Sequence, residues 1–161
     1  MIVVCDASPI IGLSSVRQLD LLRQLYTEIV IPESVAREIV AGWGRSGFED
    51  VLRSDWIKIK TVGDSVLRRA LGGELDSGEA EAIALAVEVK AEILLIDERR
   101  ARKVAQRLGI AVVGVLGVLL EAKTREFIPA VRPLLENLLK DAGFRIHPDL
   151  YQRVLEAAGE R

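Results

Sequence analysis

The stretch ILLIDERRARKVAQRLGIAVV, residues 93–113, shows the repeating unit from which the chain is built. It begins with an apolar run at Ile93–Ile96, continues into a helical pattern at Arg99–Leu108, and returns to an apolar run at Ala111–Val113. Neither run alternates apolar with polar residues, which is typical of strands covered on both faces. A strand, a helix and a second strand in this order predict a right-handed crossover between parallel strands.

The same alternation extends along the chain. Further apolar runs lie at Ile2–Val4, Glu28–Ile31 and Trp56–Val62. The other segments with a helical pattern are Ser34–Ala41, Ser65–Leu71, Ser77–Lys90, Val115–Thr124, Pro129–Asp141 and Pro148–Ala158, and residues 42–50 are predicted to form a loop. We therefore predict an α/β protein of three layers, α/β/α, in which the central sheet is mainly parallel, plus C-terminal helices.

Length and composition are those of one globular domain. The chain has 161 residues, of which 50% are hydrophobic and 29% charged. This composition excludes a disordered chain, and the length is enough to bury a sizeable core. We expect residues 1–125 to form the main domain and residues 126–161 to form a helical extension packed on the same domain.

Cysteine and histidine usage limits the possible sites. The single cysteine, Cys5, lies inside an apolar run and is interpreted as a buried thiol, and one Cys with one His cannot build the usual tetrahedral zinc site. No basic region precedes the first apolar residues, and the uncharged stretch Leu108–Leu120 is too short for a membrane helix. We expect a cytoplasmic protein without membrane association.

Two aspartates follow apolar strands directly, Asp6 in MIVVCD and Asp97 in EILLID. In an open parallel sheet, ligands bind beyond the carboxyl ends of the strands, near the point where the strand order reverses. Two carboxylates about 4 Å apart at that edge would repel by about 4 kcal/mol, so a proton or a cation is needed between them. The alternative is that each aspartate caps the helix that follows it.

Two glutamates are candidates to join this pair. Glu79 begins a helix on which Ile83 follows it on the same face, although its spacing from Asp76 also predicts a capping box. Glu38 lies on a helix after the second strand, three residues beyond Val35, so it borders the buried face; the alternative is a solvated side chain. Other acids are interpreted as surface charges, namely Glu33, Glu81 and Glu88.

A basic segment follows Asp97 immediately. The segment contains five cations at helical spacing, which project outward: Arg99, Arg100, Arg102, Lys103 and Arg107. They either bind the phosphate backbone of a nucleic acid or form a solvated face. The formal net charge is −2, but setting the four candidate acids aside leaves 20 acidic against 22 basic residues. The low aromatic content, with 3 Phe, 2 Trp and 2 Tyr, argues against a module that reads bases on an aromatic platform.

Four motifs resemble those of PIN domains: MIVVCDASPIIGL (1–13), VIPESVAREI (30–39), LDSGEAEAIALA (75–86) and LLIDERRARKVAQRLG (94–109). PIN domains are Mg²⁺- or Mn²⁺-dependent ribonucleases, and many prokaryotic ones are VapC-type toxins of toxin–antitoxin pairs. The resemblance covers roughly residues 1–125. It implies RNA as substrate, a protein antitoxin as a partner and a homodimer.

The resemblance also assigns residues. The four acids of the family fall on Asp6, Glu38, Glu79 and Asp97, and its small hydroxyl residue falls on Ser8. In this interpretation Asp6 and Asp97 ligate Mg²⁺ or Mn²⁺ directly, whereas Glu79 and Glu38 bind a second ion or orient water. Ser8 is then a candidate for substrate binding, together with Arg99, Arg100, Arg102 and Lys103.

This sequence departs from the family pattern at two places. The third acid is usually Asp but is Glu79 here, with Asp76 near enough to compete, and Leu95 and Ile96 replace the Thr or Ser that often precedes the fourth acid. The resemblance predicts a metal-dependent endoribonuclease. The glutamate at the third position favours the alternative, a non-catalytic PIN-like module that binds RNA or a partner. A receiver-like or dehalogenase-like phosphoryl-transfer fold is disfavoured, since no second Asp follows Asp6 at the next position but one.

Overall fold

The computed structural model describes the backbone of residues 1–161 and all side chains except those of residues 43–48, 50 and 52. The strands are β1 (Val3–Cys5), β2 (Ile29–Pro32), β3 (Ile57–Lys60), β4 (Ile93–Leu95) and β5 (Val112–Val113). The helices are α1 (Ala7–Ser15), α2 (Asp20–Tyr26), α3 (Glu33–Arg53), α4 (Val66–Gly72), α5 (Ser77–Glu88), α6 (Arg99–Arg107), α7 (Val115–Thr124), α8 (Arg132–Asp141) and α9 (Pro148–Ala157).

The strands form one sheet in the order β3-β2-β1-β4-β5, and every neighbouring pair is parallel. Strand β1 is central: β2 and then β3 lie on one side of it, and β4 and then β5 lie on the other. The strand order therefore reverses between β1 and β4, where Cys5 is paired with Leu95. The predicted three-layer α/β/α fold is confirmed.

The pleat of the sheet divides the core into two layers. Val3, Cys5 and Leu95 point into a layer formed with α1, α2, α3 and the C-terminal helices, whereas Val4 and Leu94 point into a layer formed with α4, α5 and α6. Because both faces of β1, β2 and β4 are covered, these strands are continuously apolar, whereas the edge strand β3 (IKIK) carries exposed lysines.

The helices differ from the prediction in two places. Helix α1 was not predicted, because Pro9, Gly12 and the serines around them weaken its helical pattern. Helix α2 was also not predicted, since it has only seven residues and so gives a short periodic pattern. Helix α3 extends to Arg53, beyond the predicted end at Ala41. Most of the predicted loop at residues 42–50 lies outside the described side chains.

The C-terminal segment packs on the same core as α1 and α7, through Leu135 and Leu138 of α8 and Val154 and Leu155 of α9. Glu160 ties the end of the chain to the beginning of α8. Its carboxylate accepts the N–H groups of Val131 and Arg132 at 2.8 and 3.0 Å and pairs with Lys123 at 2.9 Å. Although burial acts in the other direction, these contacts lower the pKa of Glu160 to about 2.

We expect Glu160→Gln to lower the free energy of unfolding by about 1.5–3 kcal/mol at pH 7, because it removes charge-assisted hydrogen bonds. Since the pKa of Glu160 falls on folding, this stabilisation is present above about pH 4.5 and is lost as the pH falls towards 2. Urea unfolding from pH 2 to pH 7 measures the effect. Glu156→Gln, at an exposed position of α9, is the matched control; equal stabilities of the two variants would contradict the prediction.

Within the described part of the chain, no helix combines the length and the apolar character needed to cross a membrane.

Candidate metal centre

Asp6 and Asp97 leave the sheet at adjacent positions. Asp6 follows β1, and its N–H donates to the carbonyl of Leu95 at 2.8 Å, two residues before Asp97. Burial raises the pKa of the Cys5 thiol, and the charges of Asp6 and Asp97 raise it further. The two aspartates therefore lie on neighbouring strands at the reversal of strand order, as their positions in the sequence indicated.

Neither aspartate caps the helix that follows it in the chain. Asp6 occupies the N-cap position of α1 but makes no capping hydrogen bond through its side chain. Helix α6 is capped by Glu98, whose carboxylate accepts the N–H of Ala101 at 2.8 Å. The alternative that each aspartate caps the helix that follows it is therefore wrong.

Asp6 carries a buried carboxylate that is largely uncompensated. The residue is only 4% exposed, and its Oδ1 has no hydrogen-bond partner among the described atoms. Burial, together with the charges of Glu38, Glu79 and Asp76, raises its pKa to about 7, although the N–H of Ala7 acts in the other direction. Near neutral pH the carboxyl of Asp6 is therefore either protonated or, when it is ionised, favours a bound cation.

Asp97 is held by a helix far along the chain. Its Oδ1 accepts the N–H of Val115, the first residue of α7, at 2.8 Å, while its Oδ2 is buried without a partner among the atoms described. Burial raises its pKa, and the Val115 hydrogen bond and the Arg102 charge oppose that rise. A Cβ at Gly114 would lie 2.8 Å from Asp97 Oδ1 and 2.9 Å from Arg102 Nη1, so glycine makes room for both side chains.

Glu38 lies on the first half of α3 and reaches across to α5. A Cβ built at Gly78 would collide with Oε1 of Glu38, so the carboxylate rests directly on the glycine backbone. Burial and the charge of Asp76 raise the pKa of Glu38, and its own charge raises that of Asp6. The structure therefore brings Glu38 into the acidic group, through a contact that its position in the sequence did not show.

Glu79 serves as a helix cap and as a member of the acidic group. Its N–H donates to the carboxylate of Asp76 at 2.8 Å, and its own carboxylate accepts the N–H of Asp76 at 3.3 Å. The predicted capping box is present. Burial and the charge of Asp76 raise the pKa of Glu79 to about 7, with a smaller contribution from Glu98.

The donors suit a hard divalent cation, but they are not gathered into a complete cage. Among the described side chains, no group of three or more His, Cys, Asp and Glu residues is placed so that it could hold a metal ion. Mg²⁺ is usually held by only one or two carboxylates, with water and substrate oxygens as its other ligands. The buried, unpaired oxygens of Asp6 and Asp97 fit that requirement.

The basic residues after Asp97 separate onto different surfaces. Arg102 turns towards Asp97 and donates to the carbonyl of Ile96 at 3.0 Å. Arg100 and Arg107 instead pair with Glu74 at 3.9 and 3.7 Å, and these three residues line a different surface pocket together with Lys103. Arg99 is exposed at the first position of α6, and Ser8 is exposed in the first turn of α1.

Glu81 is not the surface charge that we predicted. It is 6% exposed, pairs with Arg68 at 2.8 Å and accepts the N–H of Ser34 at 3.4 Å. This contact joins the beginning of α3 to α5 and so helps to hold Glu38 against Gly78. Sequence reasoning also missed the roles of Gly78 and Gly114, since a glycine inside a motif does not show which side chain lies above it.

We expect the metal-free protein to lose stability as the pH rises. Folding raises the pKa values of Asp6 and Glu79 to about 7 from their ordinary values of 3.8 and 4.5. The folded state therefore binds protons more tightly than the unfolded state, a stabilising effect that is complete below about pH 4 and is lost as the pH rises through 7. Urea unfolding in EDTA between pH 5 and 8 should show this decline.

Two variants test whether the carboxyl of Asp6 contributes to that decline in stability. Asp6→Asn should make the stability profile flatter, whereas Asp141→Asn, at an exposed position at the end of α8, should keep the wild-type slope. A wild-type profile that is flat between pH 5 and 8 would contradict the prediction.

Comparison with known families gives one match. A sequence model of the family DUF3368, described as a PIN domain, matches residues 2–160. No curated protein and no solved structure matches the chain significantly.

Proposed function

Since this chain belongs to the PIN-domain family, whose members are generally nucleases, we propose that it is a metal-dependent endoribonuclease that hydrolyses RNA phosphodiester bonds. The observation that carries the proposal is the pair of buried, unpaired carboxylate oxygens, Asp6 Oδ1 and Asp97 Oδ2, on neighbouring strands. Buried polar groups are normally hydrogen-bonded, so two orphaned carboxylate oxygens at a ligand-binding edge favour a cation.

Each acid has a proposed role. Asp6 and Asp97 hold Mg²⁺ or Mn²⁺, and the Val115 N–H orients Asp97 by occupying its other oxygen. Glu38 and Glu79 orient water or hold a second ion. A divalent ion at this site supplies activation of water and charge neutralisation at the scissile phosphate. Glu79, whose charge acts on Asp6, is the candidate to accept a proton from the attacking water.

The cations bind the substrate in this proposal. In it, Arg102, whose charge acts on Asp97, contacts the scissile phosphate, whereas Arg99, Arg100 and Lys103, elsewhere on α6, contact the RNA backbone, and Ser8 is a further candidate contact. Phosphate contacts of this kind fix the position of a strand and carry little sequence information. They also make binding dependent on salt.

The test is cleavage of a labelled single-stranded RNA by the purified protein. We expect cleavage in Mn²⁺ or Mg²⁺, none in excess EDTA, and recovery when the metal is restored. A double-stranded RNA of the same sequence should be cut more slowly. Equal cleavage in excess EDTA would overturn the metal-dependent mechanism.

A second candidate function is a non-catalytic module that binds RNA or a protein partner. Two observations favour it: Glu79 is engaged in a capping box, and the described residues form no group of three metal-binding side chains. Calorimetric titration with Mn²⁺ separates the two functions. Saturable binding that Asp97→Asn removes supports the nuclease, and its absence in the wild-type protein supports the module.

We propose further that the protein is the toxin of a toxin–antitoxin pair and acts as a homodimer. The support is membership of the PIN-domain family, many of whose prokaryotic members are VapC-type toxins; LDSGEAEAIALA and LLIDERRAR resemble a poorly characterised prokaryotic branch of that family. In this proposal residues 1–125 form the nuclease unit and residues 126–161 form a helical extension packed on it. Induced expression of the wild-type protein, but not of Asp97→Asn, should arrest bacterial growth.

A further inference from the structure

An open groove begins at Asp97 and runs between α7 and the C-terminal segment. Its volume is about 520 Å³. Asp97 and Arg102 line it on the side of the acidic centre, and Phe144, Arg145 and Ile146 line it from the segment between α8 and α9. The groove therefore reaches the candidate metal centre at Asp97, while one of its walls belongs to the C-terminal extension.

The lining of this groove combines apolar surface with positive charge. Leu116 and Leu120 of α7 and Phe144 are partly buried and supply apolar surface. The cations are Arg102 and Arg145, and Arg145 is exposed. Arg102 donates to the carbonyl of Ile96 at 3.0 Å, and its charge acts on Asp97.

We propose that this groove binds one unpaired nucleotide of the RNA strand, next to the scissile phosphate. The base lies against Phe144 and Leu116, and Arg145 contacts the phosphate that follows. The inference rests on the proposed ribonuclease function, because the phosphate beside Asp97 is then the one that is cut.

The chemistry of the groove favours a nucleotide over a segment of protein. A nucleotide has a flat face that needs apolar or aromatic cover and a phosphate that needs a cation, and the groove supplies both. An apolar peptide would cover Leu116 and Leu120 but would leave the two arginines without an anion. A single aromatic residue also agrees with the low aromatic content of the chain, so we expect tolerance of any base at this position.

The test is equilibrium binding of a fluorescent single-stranded oligoribonucleotide, measured by anisotropy in Ca²⁺ buffer at low salt. A gel confirms that the probe stays intact during the measurement. The variants are Arg145→Gln and Phe144→Leu, and Phe144→Leu keeps an apolar side chain in the core contact. Arg153→Gln is the matched control, because Arg153 is an exposed arginine of α9 outside the groove lining.

We expect Arg145→Gln to weaken binding about threefold to tenfold and to reduce the salt dependence by about one phosphate contact. Phe144→Leu should weaken binding of the intact probe about fivefold. It should leave binding of a probe with abasic residues unchanged. Arg153→Gln should bind as the wild-type protein does, and thermal melting should show that all variants are folded.

Several results would overturn the inference. They are failure of the wild-type protein to bind the probe, wild-type affinity in Arg145→Gln, or equal affinity for intact and abasic probes. Unchanged RNA binding in the groove variants is also the result expected if a protein occupies the groove. Cleavage in Mn²⁺ is scored separately: a wild-type protein that binds through the groove but does not cut refutes the ribonuclease function, and one that cuts without using the groove refutes only this inference.

Discussion

Asp6→Asn is expected to abolish metal-dependent RNA cleavage and at the same time to stabilise the metal-free protein. The carboxylate of Asp6 is buried with one oxygen unpaired and lies near the charges of Glu38, Glu79 and Asp76. Removal of its charge relieves that repulsion but also removes a proposed metal ligand. We expect the cleavage rate to fall by at least about 100-fold, since even residues that only support metal ligands contribute about 10- to 100-fold.

The gain in stability has an upper limit that follows from the pKa. Folding moves the pKa of Asp6 from 3.8 to about 7, a difference that corresponds to about 4 kcal/mol once the group is ionised. The asparagine amide also buries polar atoms that need partners, so the expected gain is smaller, about 1–3 kcal/mol at pH 8.

The measurements are kcat/KM for single-stranded RNA in Mn²⁺ and urea unfolding in EDTA at pH 8. Asp141→Asn, at an exposed aspartate, should change neither quantity. If Asp6→Asn destabilised the fold, the carboxylate would have a structural role that outweighs the repulsion. Retention of activity would remove Asp6 from the proposed centre.

Gly78→Ala is expected to reduce RNA cleavage by about 10- to 100-fold while changing the free energy of unfolding by less than about 1 kcal/mol. The new methyl group would occupy the position of Glu38 Oε1. Because that atom is the end of a flexible side chain, Glu38 can swing away without disturbing the core. Alanine is also a better helix former than glycine, which favours α5.

Gly72→Ala is the matched control, since a Cβ at Gly72 meets no atom within 4 Å. It should leave both activity and stability close to the wild-type values. A double-mutant cycle with Glu38→Ala tests the proposed route: if Gly78→Ala acts by displacing Glu38, the two effects should not add. A loss of several kcal/mol in Gly78→Ala, or full additivity in the cycle, would contradict this explanation.

The secondary structure could be predicted largely from the sequence. All five strands lie within one or two residues of their predicted runs. For β1, β2 and β4 the reason is that strands buried on both faces need continuous apolar sequence. Of the missed elements, α1 contains residues that disfavour helices locally and α2 is only seven residues long, and apolar contacts with the core stabilise both.

The positions of the candidate acids could be predicted only in part. Asp6 and Asp97 stand at strand ends in the sequence, and parallel pairing of β1 with β4 places them at one edge. Inclusion of Glu38 depends on the packing of α3 on α5, which local spacing does not encode. The ion pair of Glu81 with Arg68 was missed for the same reason, since an acid on an apolar helix face shows no partner in the sequence.

By itself, then, the sequence determined the five strands, the helices other than α1 and α2, the parallel sheet and the two acids at strand ends. Tertiary structure decided which oxygens of those acids remain unpaired. The Val115 N–H that occupies one oxygen of Asp97 lies 18 residues away, and the contact between Ser34 and Glu81 that joins α3 to α5 spans 47 residues. Periodicity reports contacts within a turn or two of chain, whereas the hydrogen bonds and charges that shape this site join segments that only the folded sheet brings together.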